Sequence, residues 1–316
     1  MRIAIVGAGS IGLLWASRLS RLPYEVTVLT HTAAQHKKIV QAGISCEELD
    51  GQVVHTNVTS CPIEETSELS PFDIIFITVK QYQLQNVMEP IQRCSHPFTQ
   101  ILFWQNGLGQ EKAIDELHYR PDTYVALTTE GAYRKSDTYV VHTGQGETWI
   151  GTFPHQGEWK PLLQDFVKAI QPIVISPIRK ESMILRRMWE KLAVNAAINP
   201  LTTILEVPNG ELLSVDLENI MEKLTGETCQ VANRIGVELD HSRAIKKIRE
   251  VCNLTSQNLS SMLQDIQGGK RTEIDSINGA IIQYAKEHNV PVYWHEMLYT
   301  LVKAKEAHNK RNTNTL

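Results

Sequence analysis

Apolar residues follow two different rhythms along this chain. In the first half, short apolar runs at Ile3 to Val6, Val26 to Leu29, Ile74 to Val79, Ile101 to Trp104 and Tyr124 to Leu127 alternate with segments of helical periodicity. Those segments are Leu13 to Leu22, Ala33 to Ala42, Leu84 to Gln92 and Glu111 to Leu117. A continuous apolar run bounded by turn residues reads as a strand buried on both faces. Such strands alternating with helices predict a parallel sheet covered by helices on both faces. Thr138 to Ile150 departs from the pattern: its β-branched alternation, punctuated by Gly144, Gly146 and Gly151, predicts antiparallel strands extending the sheet at one edge. After Ile173 to Pro177 the strand signals cease. What remains reads as helices separated by Pro200, Pro208-Asn209-Gly210, Gly236, Gly268-Gly269 and Asn289-Val290-Pro291. The prediction is an α/β chain with a mostly parallel sheet in residues 1–177 and an all-helical domain in residues 178–316. Asn309 to Leu316 lacks a periodic apolar face and is expected to fray.

Composition narrows the function classes. The chain has 316 residues, 42% of them hydrophobic and 21% charged, enough for two packed domains. A net charge of -4, with basic residues dispersed among acids, gives no field for nucleic acid. Cys46, Cys61, Cys94, Cys229 and Cys252 are odd in number and lack CxxC pairing, so they read as reduced thiols of a cytoplasmic protein rather than metal ligands. No apolar run approaches membrane-spanning length.

Candidate chemistry begins at Gly7-Ala8-Gly9-Ser10-Ile11-Gly12, a GxGxxG between a predicted strand and a predicted helix. The first glycine permits the turn, the second lets a pyrophosphate approach the backbone, and the third packs helix on strand, while the helix start offers free N–H groups to the phosphates. The second strand ends in Leu29-Thr30-His31-Thr32, without the acid that holds a ribose 2′-hydroxyl in NAD-specific folds. Thr30, His31 and Thr32, with Lys37 and Lys38, are candidates for a 2′-phosphate, which favours NADP; each also reads as part of a solvated loop and helix face. Lys80 and Asn106-Gly107 follow predicted parallel strands, on the side where open α/β sheets bind ligands. Taken alone, they read equally well as a solvated lysine and a plain turn.

In the second half, Trp189 to Pro200 places Lys191, Asn195 and Asn199 on one face of a helix whose other positions are apolar. Such a stripe is costly to bury unless it binds something polar. A desolvated lysine beside two carboxamides points to a small, oxygen-rich anion and to a proton donor. Further on, Ser261 and Asp265 stand one turn apart, and Thr272 with Asp275 resembles a helix-start cap that puts Glu273 in a first turn.

These motifs together resemble the ketopantoate reductase family. The likeness spans nearly the whole chain: Gly7 to Gly12, Lys80, Gln105 to Gly109, Thr129 to Ala132, Gly144 to Gly151, the Trp189 to Pro200 helix, Asn209-Gly210, and Ser260 to Glu273. The lysine–asparagine–asparagine–proline helix followed by Ser260-Ser261-Met262 and Thr272-Glu273-Ile274-Asp275 carries more weight than GxGxxG, which many dehydrogenases share. The resemblance implies a Rossmann-type amino-terminal domain and reduction of 2-dehydropantoate to (R)-pantoate by NADPH, on the way to pantothenate and coenzyme A. It implies Lys191 as proton donor, with Glu273 as the acid reaching cofactor and substrate. Asn106, Asn195, Asn199, Asn209 and Ser261 are implied to hold substrate. Gly7, Ala8, Gly9, Ser10, Ile11, Gly12, His31, Lys80, Asn106 and Ala132 are implied on the cofactor side. A monomer or homodimer is expected, with a small-molecule substrate, 2-dehydropantoate, and neither nucleic acid nor membrane as partner.

Two departures stand out. The family's arginine after the second strand is replaced by Thr30-His31-Thr32, and its later Pro-x-Asn element by Tyr293-Trp294-His295. The last three read as packing, an exposed aromatic pair and a histidine outside the chemistry. Two competing readings share the architecture: a reductase of another small 2-oxo acid, and a non-catalytic NADP sensor. Retention of Lys191 and Glu273 argues against the sensor. A site arranged between two domains would also need closure to exclude water.

Overall fold

A computed structural model describes residues 1–118 and 121–313. The chain divides into two compact units, Met1–Gln105 with Gln110–Ile184, and Asn106–Gly109 with Leu185–Leu316.

The first unit is built on β1 (Arg2–Val6), β2 (Glu25–Thr30), β3 (Ile44–Glu47), β4 (Val53–Thr56), β5 (Thr59–Pro62) and β6 (Ile74–Ile77), followed by β7 (Gln100–Phe103), β8 (Asp122–Thr128), β9 (Gly131–Arg134), β10 (Tyr139–Gly144), β11 (Thr148–Thr152) and β12 (Ile178–Lys180). Among the described residues these form an eight-stranded sheet, ordered β12-β11-β8-β7-β6-β1-β2-β5, and a four-stranded sheet, ordered β4-β3-β10-β9. In the large sheet β11 runs antiparallel to β8 and the other pairings are parallel. The central strands β1, β6 and β7 are buried along nearly their whole length, which is why they read as unbroken apolar runs. The crossovers are α1 (Ser10–Leu19), α2 (Ala33–Ala42), α3 (Leu84–Arg93), α4 (Gln110–Asp115) and α5 (Pro161–Ile170).

Two expectations are corrected here. Of the segment 138–150, only β11 extends the large sheet; β10 belongs to the small one, paired with β3 and β9. Strand structure also continues past Pro177, since Ile178–Lys180 pairs in parallel with β11.

The small sheet explains α1. Gly12 through Leu19 are all buried, because α1 contacts β1 and β2 on one side and β3, β9 and β10 on another. Burial on both sides includes Arg18, 1% exposed, whose guanidinium lies 2.8 Å from the Glu130 carboxylate and 3.8 Å from that of Glu48. His142 of β10 stands between the same acids, 3.0 Å from Glu130 and 3.4 Å from Glu48. Burial alone would lower the His142 imidazole, but hydrogen bonds to Glu130 and Glu48 raise it to about 9. The hydrogen bond from His142 in turn helps lower Glu48 to about 2. Buried charges thus come as a mutually compensated set, as their desolvation requires.

The second unit is helical: α6 (Ile184–Leu205, its first residue grouped with the sheets), α7 (Val215–Arg234), α8 (His241–Leu254), α9 (Ser261–Gln267), α10 (Asn278–Glu287) and α11 (Tyr293–Thr313). Its core gathers Ala197, Leu201, Leu212, Leu224, Ile248 and Leu298 from α6, α7, α8, α11 and the short turn after α6. The expected fraying from Asn309 is not seen in the described part: α11 continues to Thr313, and the Asn309 side chain donates to the Ile266 carbonyl at 3.0 Å. Residues 314–316 lie outside the described residues. Among the described residues no helix is long and apolar enough to cross a membrane.

Candidate active site

In the sheet unit, the glycine loop joins β1 to α1 as its spacing demands. Gly7 has φ +101°, a left-handed value that side chains resist, and a Cβ there would meet Val79 at 2.8 Å. A Cβ on Gly12 would fall 1.9 Å from the Gly7 carbonyl oxygen. Gly9 differs: a Cβ there would meet no protein atom within 4 Å, leaving the backbone open to a ligand's approach. Gly9 caps α1 without a side-chain bond, and no acid lies in the first turn, so the N–H groups of Ser10 and Ile11 retain the positive character that favours phosphate. These features fit a dinucleotide.

Three residues that sequence reasoning passed over brace this loop. The Thr78 hydroxyl, just beyond β6, lies 3.0 Å from the Val6 carbonyl and 2.8 Å from that of Gly7. Gln35 of α2 donates to the Ala8 carbonyl at 2.9 Å, and Arg134 of β9 donates to the same oxygen at 3.3 Å. Arg134 also donates its backbone N–H to the Ser10 hydroxyl at 3.1 Å. Nothing local in the sequence marks these contacts, since each depends on which strand lies beside the loop.

The end of β2 is more committed than expected. Thr30 is buried and its hydroxyl donates to the Thr32 carbonyl, while the Thr32 hydroxyl caps α2 by accepting from Gln35 N–H. His31 and Lys37 are exposed, and Lys38 pairs with Asp137 at 2.6 Å. Asp137, in the β9–β10 turn, also lies 3.7 Å from Arg134. Lys80 is half-buried just after β6, and Ala132 lies on β9 opposite His142, packed against the sheet core.

In the helical unit, α6 divides as the spacing predicts. Trp189, Leu192, Ala193, Ala196 and Ala197 are buried, Trp189 edge-on to Tyr284. On the other face Lys191 and Asn195 are half-buried and Asn199 is 8% exposed. Among the described residues the carboxamides of Asn195 and Asn199 have no hydrogen-bond partner, whereas Lys191 feels the charge of Glu273. Burial lowers the Lys191 ammonium to about 8, with Glu273 opposing the shift. Glu273 is itself buried, and its carboxylate accepts from Asn106 Nδ2 at 3.3 Å. Asn106 is brought there by the segment Asn106–Gly109, in which Leu108 N–H donates to the Ser276 carbonyl at 3.1 Å. Gly107 has φ +85°, and a Cβ on it would lie 2.2 Å from the Ser276 oxygen. The structure therefore brings Lys191, Glu273 and Asn106 into one electrostatic group, on the unit that presents Asn195 and Asn199.

Other expected residues sit differently. Ser260 caps α9, its hydroxyl accepting from Leu263 N–H and from the Thr202 hydroxyl, and Ser261 is exposed in the first turn. Asn209 is buried after α6, its carboxamide donating to Thr255 at 2.9 Å and its N–H to the Asn258 carbonyl. Thr272 and Asp275 do not cap a helix. Thr272 donates both its N–H and its hydroxyl to Glu306, Asp275 is held by Arg271, Tyr299 and Lys303, and α10 starts only at Asn278. Glu273 therefore lies in a turn ahead of the helix and not in its first turn.

Residues 3–155 match the family described as Ketopantoate reductase PanE/ApbA, and residues 183–306 match its C-terminal counterpart. The chain belongs to the ketopantoate reductase family. Among relatives in this family, the 2-dehydropantoate 2-reductase of Bacillus subtilis (strain 168) is 36% identical over 321 residues, 99% of either chain. A solved structure of a probable 2-dehydropantoate 2-reductase from Bacillus subtilis superposes with a TM-score of 0.81 at 34% identity, covering 96% of this chain and all of that one. D-mandelate dehydrogenase, solved with NADH and anilino(oxo)acetate, reaches a TM-score of 0.89 at 26% identity over 98% of this chain and all of the other. Ketopantoate reductases are oxidoreductases acting on a CH–OH group, and a nicotinamide cofactor fits the open glycine loop.

Proposed function

We propose that this chain is a 2-dehydropantoate 2-reductase that reduces the ketone of 2-dehydropantoate to (R)-pantoate, a cytoplasmic step towards pantothenate and coenzyme A, with NADPH as preferred cofactor. The observation that carries the reading is Lys191: a lysine lowered to about 8 by burial, steadied by Glu273, on a helix face with two carboxamides that have no partner among the described residues. A bound nicotinamide supplies hydride to the carbonyl carbon. Lys191 donates the proton that the carbonyl oxygen takes up, so that no free alkoxide forms. Asn195 and Asn199 hold the substrate's hydroxyl and carboxylate, with Ser261 and Asn209 lending further polar contacts. Glu273 keeps Lys191 protonated near neutral pH and, through Asn106, joins it to the amide side of the site.

In this reading residues 1–177 hold the cofactor and residues 178–316 the substrate. Gly7 to Gly12 bind the pyrophosphate, while Lys80, Asn106 and Ala132 line the ribose and nicotinamide. NADPH is preferred because β2 ends without an acid and offers His31. Asp137, a carboxylate in the β9–β10 turn, is occupied by Lys38 and Arg134. Steady-state turnover with NADPH and NADH, against 2-dehydropantoate, pyruvate, 2-oxoisovalerate and benzoylformate, tests the assignment. Equal or better kcat/KM on any of the other three acids would remove 2-dehydropantoate as the substrate, and a preference for NADH would remove the cofactor assignment alone.

A further inference from the structure

The helix that carries Lys191, Asn195 and Asn199 holds a proline in its interior, Pro200. Proline has no N–H to give the carbonyl four residues back, and its ring crowds that oxygen. Here the deprived carbonyl is that of Ala196, next to Asn195, in a wholly buried position where water cannot substitute. The missing donor comes from another helix. Asn278, at the start of α10 and fully buried, donates from Nδ2 to the Ala196 oxygen at 3.2 Å.

That bond settles the rest of the network by elimination. A carbonyl only accepts, so the group facing Ala196 is the NH2 of Asn278. The same nitrogen lies 3.0 Å from His295 Nδ1, so Nδ1 must accept and the ring proton sits on Nε2. Nε2 in turn lies 2.9 Å from the Thr228 hydroxyl and 3.1 Å from the Leu224 carbonyl, and Thr228 itself donates to Leu224 at 2.9 Å. One tautomer satisfies every pairing. His295 is completely buried, and burial lowers the imidazole to about 4, so it stays neutral at physiological pH. Its place is fixed from the backbone too, because Trp294 and His295 give their N–H groups to the Glu227 carboxylate at 3.1 and 3.2 Å. Tyr293, by contrast, is largely exposed.

We propose that His295 is a positioning residue: through Asn278 it holds the carbonyl to which Pro200 cannot donate, and so fixes the course of α6 at Pro200 and with it the placement of Asn195 and Asn199 relative to Lys191. The inference rests on reading α6 as the substrate-binding helix. It gives the histidine a part in the chemistry that its position in the sequence did not indicate. A packing role alone would change the melting temperature and leave turnover by the folded enzyme intact.

The test is a double-mutant cycle in the full-length protein. Asn278→Ala is expected to lower kcat about tenfold or more, since small displacements of positioning groups cost that much, with KM for NADPH little changed. In a Pro200→Ala background residue 200 supplies its own N–H, and the same substitution should cost about twofold or less. His295→Leu should follow Asn278→Ala, whereas His295→Gln, which retains an acceptor for Asn278, should recover most of kcat. If Asn278→Ala does not fold, His295→Leu with Pro200→Ala completes the cycle. Parental kcat in Asn278→Ala and His295→Leu, or the same loss in both backgrounds, overturns the proposal. Absence of turnover in the parent enzyme would instead refute the assigned reaction. The cycle would then be read by amide hydrogen exchange in α6: acceleration in Asn278→Ala only when Pro200 is present supports the relay, and acceleration in both backgrounds or in neither refutes it.

Discussion

Removing Lys191, the proposed proton donor, and its carboxylate partner Glu273 tests the chemistry most directly. Burial brings Lys191 from 10.5 to about 8, with the Glu273 charge limiting the fall. The protonated amine is the competent form, so kcat/KM should be level through neutral pH and decline above about pH 8 as the free enzyme loses this proton. Glu273→Gln removes the charge that holds the ammonium, so the alkaline limb should move to lower pH. Lys191→Ala should abolish the limb and lower kcat by about 10²- to 10⁴-fold, the usual contribution of a general acid, or about 3 to 5 kcal/mol of transition-state stabilisation. Lys191→Arg should not restore the rate, because a guanidinium keeps its proton across this range. The assay follows NADPH absorbance across a pH series, with cofactor affinity measured separately by fluorescence. Turnover by Lys191→Ala close to that of the parent refutes the donor role; an alkaline limb unmoved in Glu273→Gln refutes the coupling.

Further expectations concern the scaffold. The His142 imidazole is raised from 6.5 to about 9, so its contribution to stability is complete below about pH 6.5 and is lost as pH rises through 9. The melting temperature should fall over that interval, and His142→Gln should flatten the slope; an equally steep slope in the variant would exclude His142 as its source. Gly12→Ala places a Cβ 1.9 Å from the Gly7 oxygen and should abolish NADPH binding by calorimetry, whereas Gly9→Ala, with open space, should fold normally and weaken binding only. Glu306→Ala strands the buried N–H and hydroxyl of Thr272, at about 1–3 kcal/mol for each orphaned donor, and should lower the urea midpoint of unfolding well beyond a surface substitution.

How far the sequence spoke depended on burial. β1, β6 and β7 are enclosed on both faces, and their unbroken apolar runs could be read directly. β3, β4, β5 and β9 are short and half-exposed, with mixed polarity such as Val53-Val54-His55-Thr56, so no period distinguishes them from loop. The glycine loop and the α6 stripe were legible because each rests on a fixed local spacing. Contacts such as Arg134 to Ala8, Asn278 to Ala196 and Thr272 to Glu306 join distant segments and leave no local trace. Thr272 with Asp275 shows the converse: the spacing of a cap was present, but Glu306 had already taken the hydroxyl.

Asn106 to Gly109 belong to the helical unit although the chain on either side belongs to the sheets. No single cut in the coding sequence yields both units whole. A fragment beginning at Leu185 lacks the amide that donates to Glu273, and one ending at Ile184 carries Leu108 without Ser276. Asn106 leaves the ribosome 167 residues ahead of Glu273, so the carboxylate meets its partner only when most of the chain has been synthesised. Assembly of the Asn106–Glu273 pair is therefore a late event in translation, and truncated products made before it lack the pair altogether.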